Sequence, residues 1–264
     1  MKKKPLVSVL IASFNKDKYI SRCIKSCIKQ TYKNLEIIIF DDKSKDNSVN
    51  IIKKFKKVKL ILNNRQKTKQ GSINQMNAYH KAFNKSKGQI ICLLDSDDFY
   101  HSSKISYIVK YFNSNKNKSF VFDLPNIFYN NKKIHSLKFR QRKKLKSIWP
   151  RFSPTSCMSM RRSFFKQGFK NISTKRFPNL WMDFRFAVFA FFIKRDFNTI
   201  NKHLTFFVKN PGSESSKFTT FNKRWWLRRN EAHKYMNYVF LKHNLKYKKS
   251  FDSFVTKVIY NFLN

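Results

Sequence analysis

Two clusters of aspartates interrupt a chain that is otherwise poor in acidic residues. Asp95, Asp97 and Asp98 directly follow the apolar run "QIICLL". Asp41 and Asp42 directly follow a second apolar run, "LEIIIF". Carboxylate oxygens are the ligands that Mg²⁺ and Mn²⁺ prefer, and these ions also bind phosphate oxygens. The alternate spacing of Asp95 and Asp97 therefore predicts a divalent metal site for a phosphate-bearing ligand.

The two apolar runs belong to an alternation of strand and helix patterns in the first half of the chain. Runs at 6–12, 35–40, 58–62 and 89–94 predict four strands, and apolar residues at helical spacing lie between them. We place the end of the last of these helices at Gly88, because glycine is common at helix C-termini. Strands separated by helices predict right-handed crossovers and an α/β fold, in which helices flank a mainly parallel central sheet.

This fold brings both aspartate clusters to one edge of the sheet. In open α/β sheets, ligands bind beyond the carboxyl ends of the strands, which is where each cluster lies in the sequence. One aspartate alone, such as Asp41 or Asp98, has a simpler interpretation as the N-cap of the following helix. Five of the 14 acidic residues at a single edge favour a binding site.

The glycines are too few and too far apart to form phosphate-binding loops. They are Gly71, Gly88, Gly168 and Gly212. Neither a P-loop nor a dinucleotide fingerprint nor a nucleophile elbow can be built from them. A phosphate-binding enzyme without a glycine loop needs another source of positive charge, and a carboxylate-bound metal supplies it.

The second half of the chain has a weaker alternation of elements. Its patterns predict a helix in "SSKISYIVKYFNS", a strand in "SFVFD" that Asp123 ends, and a surface loop over 130–151. A strand and short helix follow in "TSCMSMRRSFFKQGF", then an apolar helix in "LWMDFRFAVFAFFIK" and a strand in "TINKHLTFFVK". After the loop "NPGSESSKFT", one long basic and aromatic helix is predicted from Asn222 to Lys249.

Composition restricts the class of protein. The net charge of +43 attracts polyanions, so nucleic acid, an anionic membrane surface and a phosphate-bearing substrate all remain open. Compositional drift in an A/T-rich coding sequence is an equal alternative explanation of the charge. With 41% hydrophobic residues, the chain can bury a large core. The four cysteines lack the spacing of a disulfide framework and are predicted to be reduced core thiols.

The sequence predicts a cytoplasmic protein and leaves a peripheral contact with the inner face of the cell membrane open. Its longest uncharged apolar run, "FAVFAFFI", is too short to span a bilayer, and no signal-peptide cleavage site follows the N-terminus. The stretch "NKRWWLRR" carries Trp225, Trp226 and three nearby arginines. These residues could contact a diphosphate or an anionic membrane interface, or the helix could simply bury its aromatic side chains in the core.

Three short motifs in the first half occur together and in order. They are "SFN" at 13–15, D-D-x-S-x-D-x-S at 41–48 and D-x-D-D at 95–98. With their surroundings, roughly 5–125, they resemble the family 2 glycosyltransferases of the GT-A (nucleotide-diphospho-sugar transferase) fold. The resemblance implies transfer of a sugar, with inversion, from a nucleotide donor, commonly UDP-linked. The implied acceptor is a hydroxyl of a glycan or lipid-linked molecule in surface polysaccharide or glycolipid synthesis.

The resemblance also implies a division of the chain. A catalytic domain would extend over 1–210, with the nucleotide-sugar-binding half at 1–125 and the acceptor half at 126–210. Residues 211–264 would form a C-terminal loop and basic, aromatic helices packed on this domain.

The resemblance implies a nucleotide-sugar site whose residues come from the motifs and from one segment between them: Ala12, Ser13, Phe14, Asp42, Gly71, Asn77, Asp95 and Ser96. Within it, Asp42 hydrogen-bonds the base, and Asp95 contacts the ribose or a metal-bound water. Asp97, together with Asp95, holds Mn²⁺ or Mg²⁺ on the diphosphate, which stabilises charge on the leaving nucleotide. Many members carry Arg where this chain has Met76, and Lys67 or Lys69 could meet the phosphates instead.

Inversion requires a general base that takes the proton of the acceptor hydroxyl. In the family, this base lies near the start of a helix in the second half, often within an acidic pair. "NLWMDFRF" occupies that place here, with Asp183 as its acid and Met182 in place of the usual partner. Glu214, in a loop able to close over a substrate, is the second candidate, whereas Asp123 comes too early in the chain. Asp183 could alternatively be an N-terminal helix charge that the macrodipole favours.

Three other functions stay open at this point. A basic nucleic-acid-binding protein would use the aromatic and basic residues, but it leaves the clustered aspartates unexplained, so nucleic acid is not the expected partner. A nucleotidyltransferase would also use paired aspartates and a metal, usually with a glycine-rich loop where this chain has "ASFNKDK". The third is a non-catalytic scaffold on a GT-A-like fold. His203 and His233 are interpreted as interior histidines rather than metal ligands.

Overall fold

The computed structural model describes residues 4–66, 68–129, 132–136, 149–209 and 214–263. Its first half confirms the predicted alternation of strands and helices. The elements there are β1 (Val7–Ser13), α1 (Asp17–Ile28), β2 (Leu35–Asp41), α2 (Ser48–Lys53), β3 (Val58–Leu62), α3 (Gly71–Asn84) and β4 (Ile90–Asp95). Across the described part of the chain, no helix is both long enough and apolar enough to cross a bilayer.

The second half adds shorter strands and the C-terminal helices. These elements are β5 (Phe99–Tyr100), α4 (Lys104–Ser114), β6 (Phe120–Tyr129), β7 (Lys132–Ser136), β8 (Met158–Arg161), α5 (Arg162–Ile172), α6 (Met182–Val188), β9 (Thr199–Val208), α7 (Lys223–Lys242) and α8 (Phe251–Leu263). A π-helical segment, Phe189–Ile193, continues α6. The predicted elements around α4, β8, α5, α6 and β9 are confirmed.

Three predictions for the second half are wrong. Part of the predicted loop over 130–151 is strand β7, which pairs with β6 as a hairpin, and residues 137–148 lie outside the described residues. Asp123 does not end its strand, because pairing with β9 continues β6 to Tyr129. The long C-terminal helix ends at Lys242, and a separate helix, α8, follows it.

Within the described residues, one nine-stranded sheet contains strands from both halves of the chain. Its order is β3-β2-β1-β4-β8-β6-β9-β5, with β7 paired to β6. β3, β2, β1 and β4 are parallel to one another. β8 is antiparallel to both β4 and β6, so the sheet is mixed beyond β4. The predicted α/β architecture is confirmed, and the parallel part carries both aspartate clusters, while the division at residues 125 and 210 stays a prediction.

Alternate residues of the central strands face two hydrophobic cores, one on each side of the sheet. Leu10, Ile38 and Leu93 face one core, which α3, α5 and α6 cover. Val9 and Ile39 face the other, which α1 and α4 cover. Burial on both faces explains why these strands have continuous apolar sequences. The four cysteines are free and buried, as predicted.

Gly88 is not a helix C-cap, because α3 ends at Asn84. Among the described residues no glycine has a positive φ, so backbone handedness does not explain Gly88 either. A Cβ atom on Gly88 would lie 2.4 Å from Ser8 Oγ and 2.5 Å from Ser8 N. Gly88 N also donates a hydrogen bond to Ser8 Oγ at 2.8 Å. The segment before β4 can therefore approach β1 this closely only without a side chain.

We expect Gly88→Ala to lower the free energy of unfolding by about 1–3 kcal/mol, because the added methyl group overlaps backbone atoms of β1. Urea unfolding followed by circular dichroism measures the change. The control is Lys87→Ala, which shortens an exposed side chain and should change stability by less than about 0.5 kcal/mol. Equal stability of the two variants would contradict this explanation of Gly88.

Candidate active site

The carboxyl ends of β1, β2 and β4 bring the two aspartate clusters together. Ser13 of β1 lies opposite Asp41 of β2, and Ala12 lies opposite Asp95 of β4. β1 is the middle strand of the three, so its last residues lie between the clusters. The clusters therefore share one edge of the sheet, as predicted.

Asp41 holds the loop that follows β2. Its carboxylate is buried and accepts hydrogen bonds from Ser44 N at 2.8 Å and Ser44 Oγ at 2.6 Å. Ser44 Oγ in turn accepts a hydrogen bond from Asn15 N at 2.8 Å. Asn15 has a φ of 50°, a left-handed conformation that asparagine tolerates better than most residues. These bonds join the "SFN" loop to the next motif and give Asp41 a structural role.

Two further motif residues support the start of α1. Asp46 Oδ2 accepts a hydrogen bond from Asp17 N at 2.9 Å, and Ser48 Oγ accepts one from Lys16 N at 2.8 Å. Backbone N–H groups at a helix start have no partner within the helix, so such bonds stabilise it. Asp42 lies beside the end of β1, where its N–H donates to Ser13 O at 2.8 Å, and its Oδ1 accepts a hydrogen bond from Asn63 Nδ2 at 2.6 Å.

The end of β1 exposes an aromatic ring and buries a hydroxyl group beside it. Phe14 is 43% exposed. Ser13 Oγ is buried and has no hydrogen-bond partner within the described ranges. Ser96, also buried, donates its N–H to Ala12 O at 3.3 Å and so joins the D-x-D-D turn to β1. A flat ligand with polar groups, such as a nucleotide, suits this surface.

Asp95 is oriented by two residues of α3. Its Oδ1 accepts hydrogen bonds from Gln75 Nε2 at 2.7 Å and from Tyr79 OH at 2.8 Å. Burial and, to a smaller extent, the negative charge of Asp97 raise the pKa of Asp95 to about 6, although these two hydrogen bonds lower it. The carboxylate is therefore fixed in position and has a raised affinity for protons.

Asp97 already attracts a cation. Lys16 Nζ lies 2.6 Å from Asp97 Oδ2, and both side chains are partly exposed. Asp95 and Asp97 together offer the hard oxygen ligands that suit Mg²⁺ or Mn²⁺. Within the described residues, no group of three or more His, Cys, Asp or Glu could hold a metal ion alone. Diphosphate oxygens and water would have to complete the shell, which is usual for Mg²⁺.

Asp98 supports the turn and does not face the candidate metal position. It is buried and accepts hydrogen bonds from Ser156 Oγ and, at 2.8 Å, from Val208 N. Burial raises its pKa well above the ordinary value, and the charges of Asp97 and Asp95 add to this. Ser156 Oγ also accepts a hydrogen bond from Asp95 N at 2.9 Å. The second half of the chain thus fixes the D-x-D-D turn.

Asp183 lies in the first turn of α6, within electrostatic reach of Asp95. Its Oδ1 accepts a hydrogen bond from Phe184 N at 2.7 Å. Burial raises the pKa of Asp183 to about 7; the charge of Asp95 also raises it, while Phe184 N–H and Arg228 lower it. A carboxyl group with such a pKa can accept a proton near neutral pH.

Arg228 brings the C-terminal segment to this neighbourhood. It extends from α7, is 2% exposed, and its guanidinium lies 3.8 Å from the centre of the Trp181 ring. Trp181 directly precedes α6 and lies two residues before Asp183. Trp225 and Trp226 are half-buried and pack on each other at 4.7 Å. One arginine of the "NKRWWLRR" stretch therefore influences the site, whereas the two tryptophans pack with each other.

The sequence that builds this site matches a known family. Residues 8–169 match the sequence profile described as "Glycosyl transferase family 2", which is more than half of the 264 residues. The chain belongs to glycosyl transferase family 2. The resemblance stated from the three motifs is confirmed.

Curated relatives match the first part of this family 2 chain. The UDP-Glc:alpha-D-GlcNAc-diphosphoundecaprenol beta-1,3-glucosyltransferase WfaP of Escherichia coli is 39% identical over 113 residues, or 42% of this chain and 43% of the relative. An uncharacterized glycosyltransferase of Haemophilus influenzae is 38% identical over 105 residues, or 38% of this chain and 40% of the relative. The matched segments thus span less than half the length of these relatives.

Solved structures show the same fold across nearly the whole chain. S. aureus TarS in complex with UDP-GlcNAc has a TM-score of 0.64 and 15% identity, over 97% of this chain and 71% of that one. The mannosyltransferase PcManGT from Pyrobaculum calidifontis, in complex with GDP-Man and Mn²⁺, has a TM-score of 0.58 and 12% identity, over 99% and 70%. The predicted GT-A fold is confirmed.

The α3 part of the family 2 site differs from the sequence prediction. Asn77 is exposed and lies on the face of α3 opposite Gln75 and Tyr79, which contact Asp95. Met76, where many members carry Arg, is 3% exposed and packs in the core. Gln75 and Tyr79 are four residues apart on a predicted helix, and this spacing could have identified them as neighbours on one face.

Five further residues are candidates from the sequence: Asp123, Lys67, Lys69, Gly71 and Glu214. Asp123 is fully buried and paired with Lys104, whose Nζ lies 2.6 Å from its Oδ1, so it does not reach the pocket edge. Lys69 is exposed, whereas Lys67 and the side chain of Glu214 lie outside the described residues. Gly71 begins α3.

The prediction of interior histidines is confirmed for His233 and only in part for His203. His233 is buried, with its Nε2 3.1 Å from Asp252 Oδ2, and burial lowers its pKa to about 4. His203 is half-buried, and its Nδ1 lies 3.1 Å from Pro125 O. Both contacts occur outside the aspartate clusters.

Proposed function

We propose that this chain is a metal-dependent, inverting glycosyltransferase of the hexosyltransferase type that acts in the cytoplasm. The observation that supports it best is the position of Asp95 and Asp97 at the carboxyl end of β4, with Asp183 near enough for Asp95 to raise its pKa. The proposed donor is a UDP-sugar and the proposed acceptor a glycan or lipid-linked hydroxyl. The Escherichia coli relative, which is named for a UDP-Glc donor and a diphosphoundecaprenol-linked acceptor, supports both.

The donor side of the reaction rests on the first half of the chain. Ala12, Ser13 and Phe14 line the proposed nucleotide pocket, and Asp42 hydrogen-bonds the base. Asp97 and Asp95 would hold Mn²⁺ or Mg²⁺, which would supply positive charge to the leaving diphosphate. Gln75 and Tyr79 keep the Asp95 carboxylate in one orientation, so little reorganisation is needed when donor binds.

The acceptor side rests on Asp183. In the proposed reaction, the acceptor oxygen forms a bond to the anomeric carbon while the bond from that carbon to the diphosphate oxygen breaks. The proton of the acceptor hydroxyl passes to Asp183, whose pKa of about 7 is near the working pH. Arg228 limits this rise in pKa, because its positive charge favours the ionised form of Asp183.

Calorimetric titration of UDP into the protein, with and without Mn²⁺, tests the donor site. We expect binding that requires Mn²⁺, and we expect Asp97→Ala to weaken it at least about tenfold, or about 1.4 kcal/mol. Asp97 contributes a direct ligand in this proposal, so its loss removes the charge that holds the ion. The control is Asp17→Ala, which removes a carboxylate whose Oδ1 accepts a hydrogen bond from Lys18 N in the first turn of α1.

Two outcomes would contradict the proposal. One is equal UDP affinity with and without Mn²⁺; the other is unchanged affinity in Asp97→Ala. If the folded protein bound no UDP but bound single-stranded nucleic acid tightly, the basic-protein alternative would take its place.

A further inference from the structure

The C-terminal helix α8 faces the protein with its polar side. Asp252 is bonded to Arg229 of α7, and its Oδ2 lies 3.1 Å from His233 Nε2. Thr256 is completely buried, and the ring of Tyr260 lies 5.7 Å from Lys234 Nζ. Residues 252, 256 and 260 are four apart, so they form one stripe along the helix. This stripe is the side that contacts α7.

The other side of α8 is apolar and exposed. Its residues, with their exposed fractions, are Phe251 (81%), Phe254 (65%), Val258 (51%) and Phe262 (88%). Spacings of three, four and four residues place them on one face over three turns. Single exposed apolar residues are ordinary on protein surfaces, but a continuous apolar face indicates a binding surface. We call these four residues the α8 apolar face.

The contacts of the polar stripe fix this orientation. A helix that only needed to fold would turn its phenylalanines toward the core and its Asp and Thr toward water. Here the ion pair of Asp252 with Arg229, the burial of Thr256 and the contact of Tyr260 with Lys234 hold the opposite orientation. The apolar face is therefore directed outward by specific bonds.

The charges around the helix indicate the chemistry of the occupant. Exposed Lys246, Lys248 and Lys249 directly precede α8, and Lys257 is exposed on the helix itself. A second copy of this chain would bring its own charge of +43 against the same charge, which opposes self-association. A bilayer with anionic headgroups satisfies both features, because phenylalanine enters the interface and lysine stays at headgroup level.

We propose that α8 is an interfacial helix that binds an anionic membrane surface through the α8 apolar face, with the preceding lysines on the headgroups. This assigns the contact to α8 instead of the Trp225–Trp226 pair, which is half-buried. The assignment does not require the donor site to be active. If the proposed function also holds, α8 places that site beside lipid-linked acceptors.

Co-sedimentation of the full chain with sucrose-loaded vesicles tests the proposal. The vesicles contain phosphatidylcholine alone or phosphatidylcholine with phosphatidylglycerol. We expect stronger binding to the anionic vesicles, and weaker binding in 1 M salt, where the Debye length falls to about 3 Å. Phe254→Ser/Phe262→Ser should lower the partition coefficient at least about tenfold, since it removes two large groups from the interface.

Two control variants keep the test specific. Phe221→Ser removes a phenyl ring that is 71% exposed but lies outside α8, and it should bind vesicles like the wild type. Replacement of Lys246, Lys248 and Lys249 by Gln should reduce binding to anionic vesicles and leave the weak binding to phosphatidylcholine unchanged. Circular dichroism checks that each variant is folded.

Three results would overturn the proposal: no wild-type binding to either vesicle, equal binding of Phe254→Ser/Phe262→Ser and wild type, or a dimer in sedimentation equilibrium that this variant abolishes. The last result would assign the apolar face to a second copy. UDP titration without vesicles tests the donor site separately, so failure of either hypothesis can be recognised on its own.

Discussion

We expect Asp183→Asn to lower kcat by about 10²–10⁴-fold, because the amide cannot accept the proton of the acceptor hydroxyl. Asparagine keeps the size of the side chain, so donor binding measured by UDP titration should change little. Turnover is measured as UDP release on the donor and acceptor pair that the wild type uses. A variant that loses donor affinity instead of kcat would contradict the role of Asp183 as base.

The dependence of the rate on pH makes this test more specific. A base acts only when it is deprotonated, and burial raises the pKa of Asp183 to about 7. The wild-type rate should therefore rise as pH increases through about 7 and level off above it, and Asp183→Asn should lose this rise. Protonation of Asp95, whose pKa is about 6, also lowers the rate at acidic pH, because a protonated carboxyl group is a poor metal ligand. Glu214→Gln is the control: loss of activity there, with Asp183→Asn active, would assign the base to Glu214.

Local patterns predicted the parallel part of the fold and the edge that holds the site. Fully apolar strands and the turn chemistry after them depend on residues close in sequence, which is why β1, β2 and β4 could be predicted. The contacts within the site depend on distant residues. Lys16 and Asp97 are 81 positions apart, and nothing in either segment alone indicates that they meet. The local sequence also does not indicate which face of α3 contacts Asp95. Asn77 and Gln75 are only two positions apart, yet they face opposite sides of the helix.

The second half was less predictable for a physical reason. β6 pairs with β8, β9 and β7, so its length and the burial of Asp123 follow from partners up to 82 positions away. The orientation of α8 shows the same limit. An amphipathic pattern alone favours a buried apolar face, and the opposite orientation depends on contacts with α7, such as the ion pair of Asp252 with Arg229, 23 positions away.

Lys104 makes the most buried ion pair of the described residues, and it connects the fold to the site. Its side chain and that of Asp123 are both 0% exposed. Lys104 Nζ also donates to Ser156 O at 2.8 Å and Thr205 Oγ1 at 2.6 Å, so α4, β6 and β9 converge on it. Burial raises the pKa of Asp123, and the charge of Lys104 opposes this rise. Removal of either side chain would therefore leave the other charge buried without a partner.

We expect Lys104→Met to lower the free energy of unfolding by about 3–5 kcal/mol, because it leaves Asp123 buried without a cation. Urea unfolding measures the loss. The double variant Lys104→Met/Asp123→Asn should recover a large part of it, since the amide carries no charge; equal loss in both variants would mean that packing, not charge, is decisive. Ser156 bonds both Lys104 and the D-x-D-D turn, so Lys104→Met should also weaken Mn²⁺-dependent UDP binding while the protein is still folded.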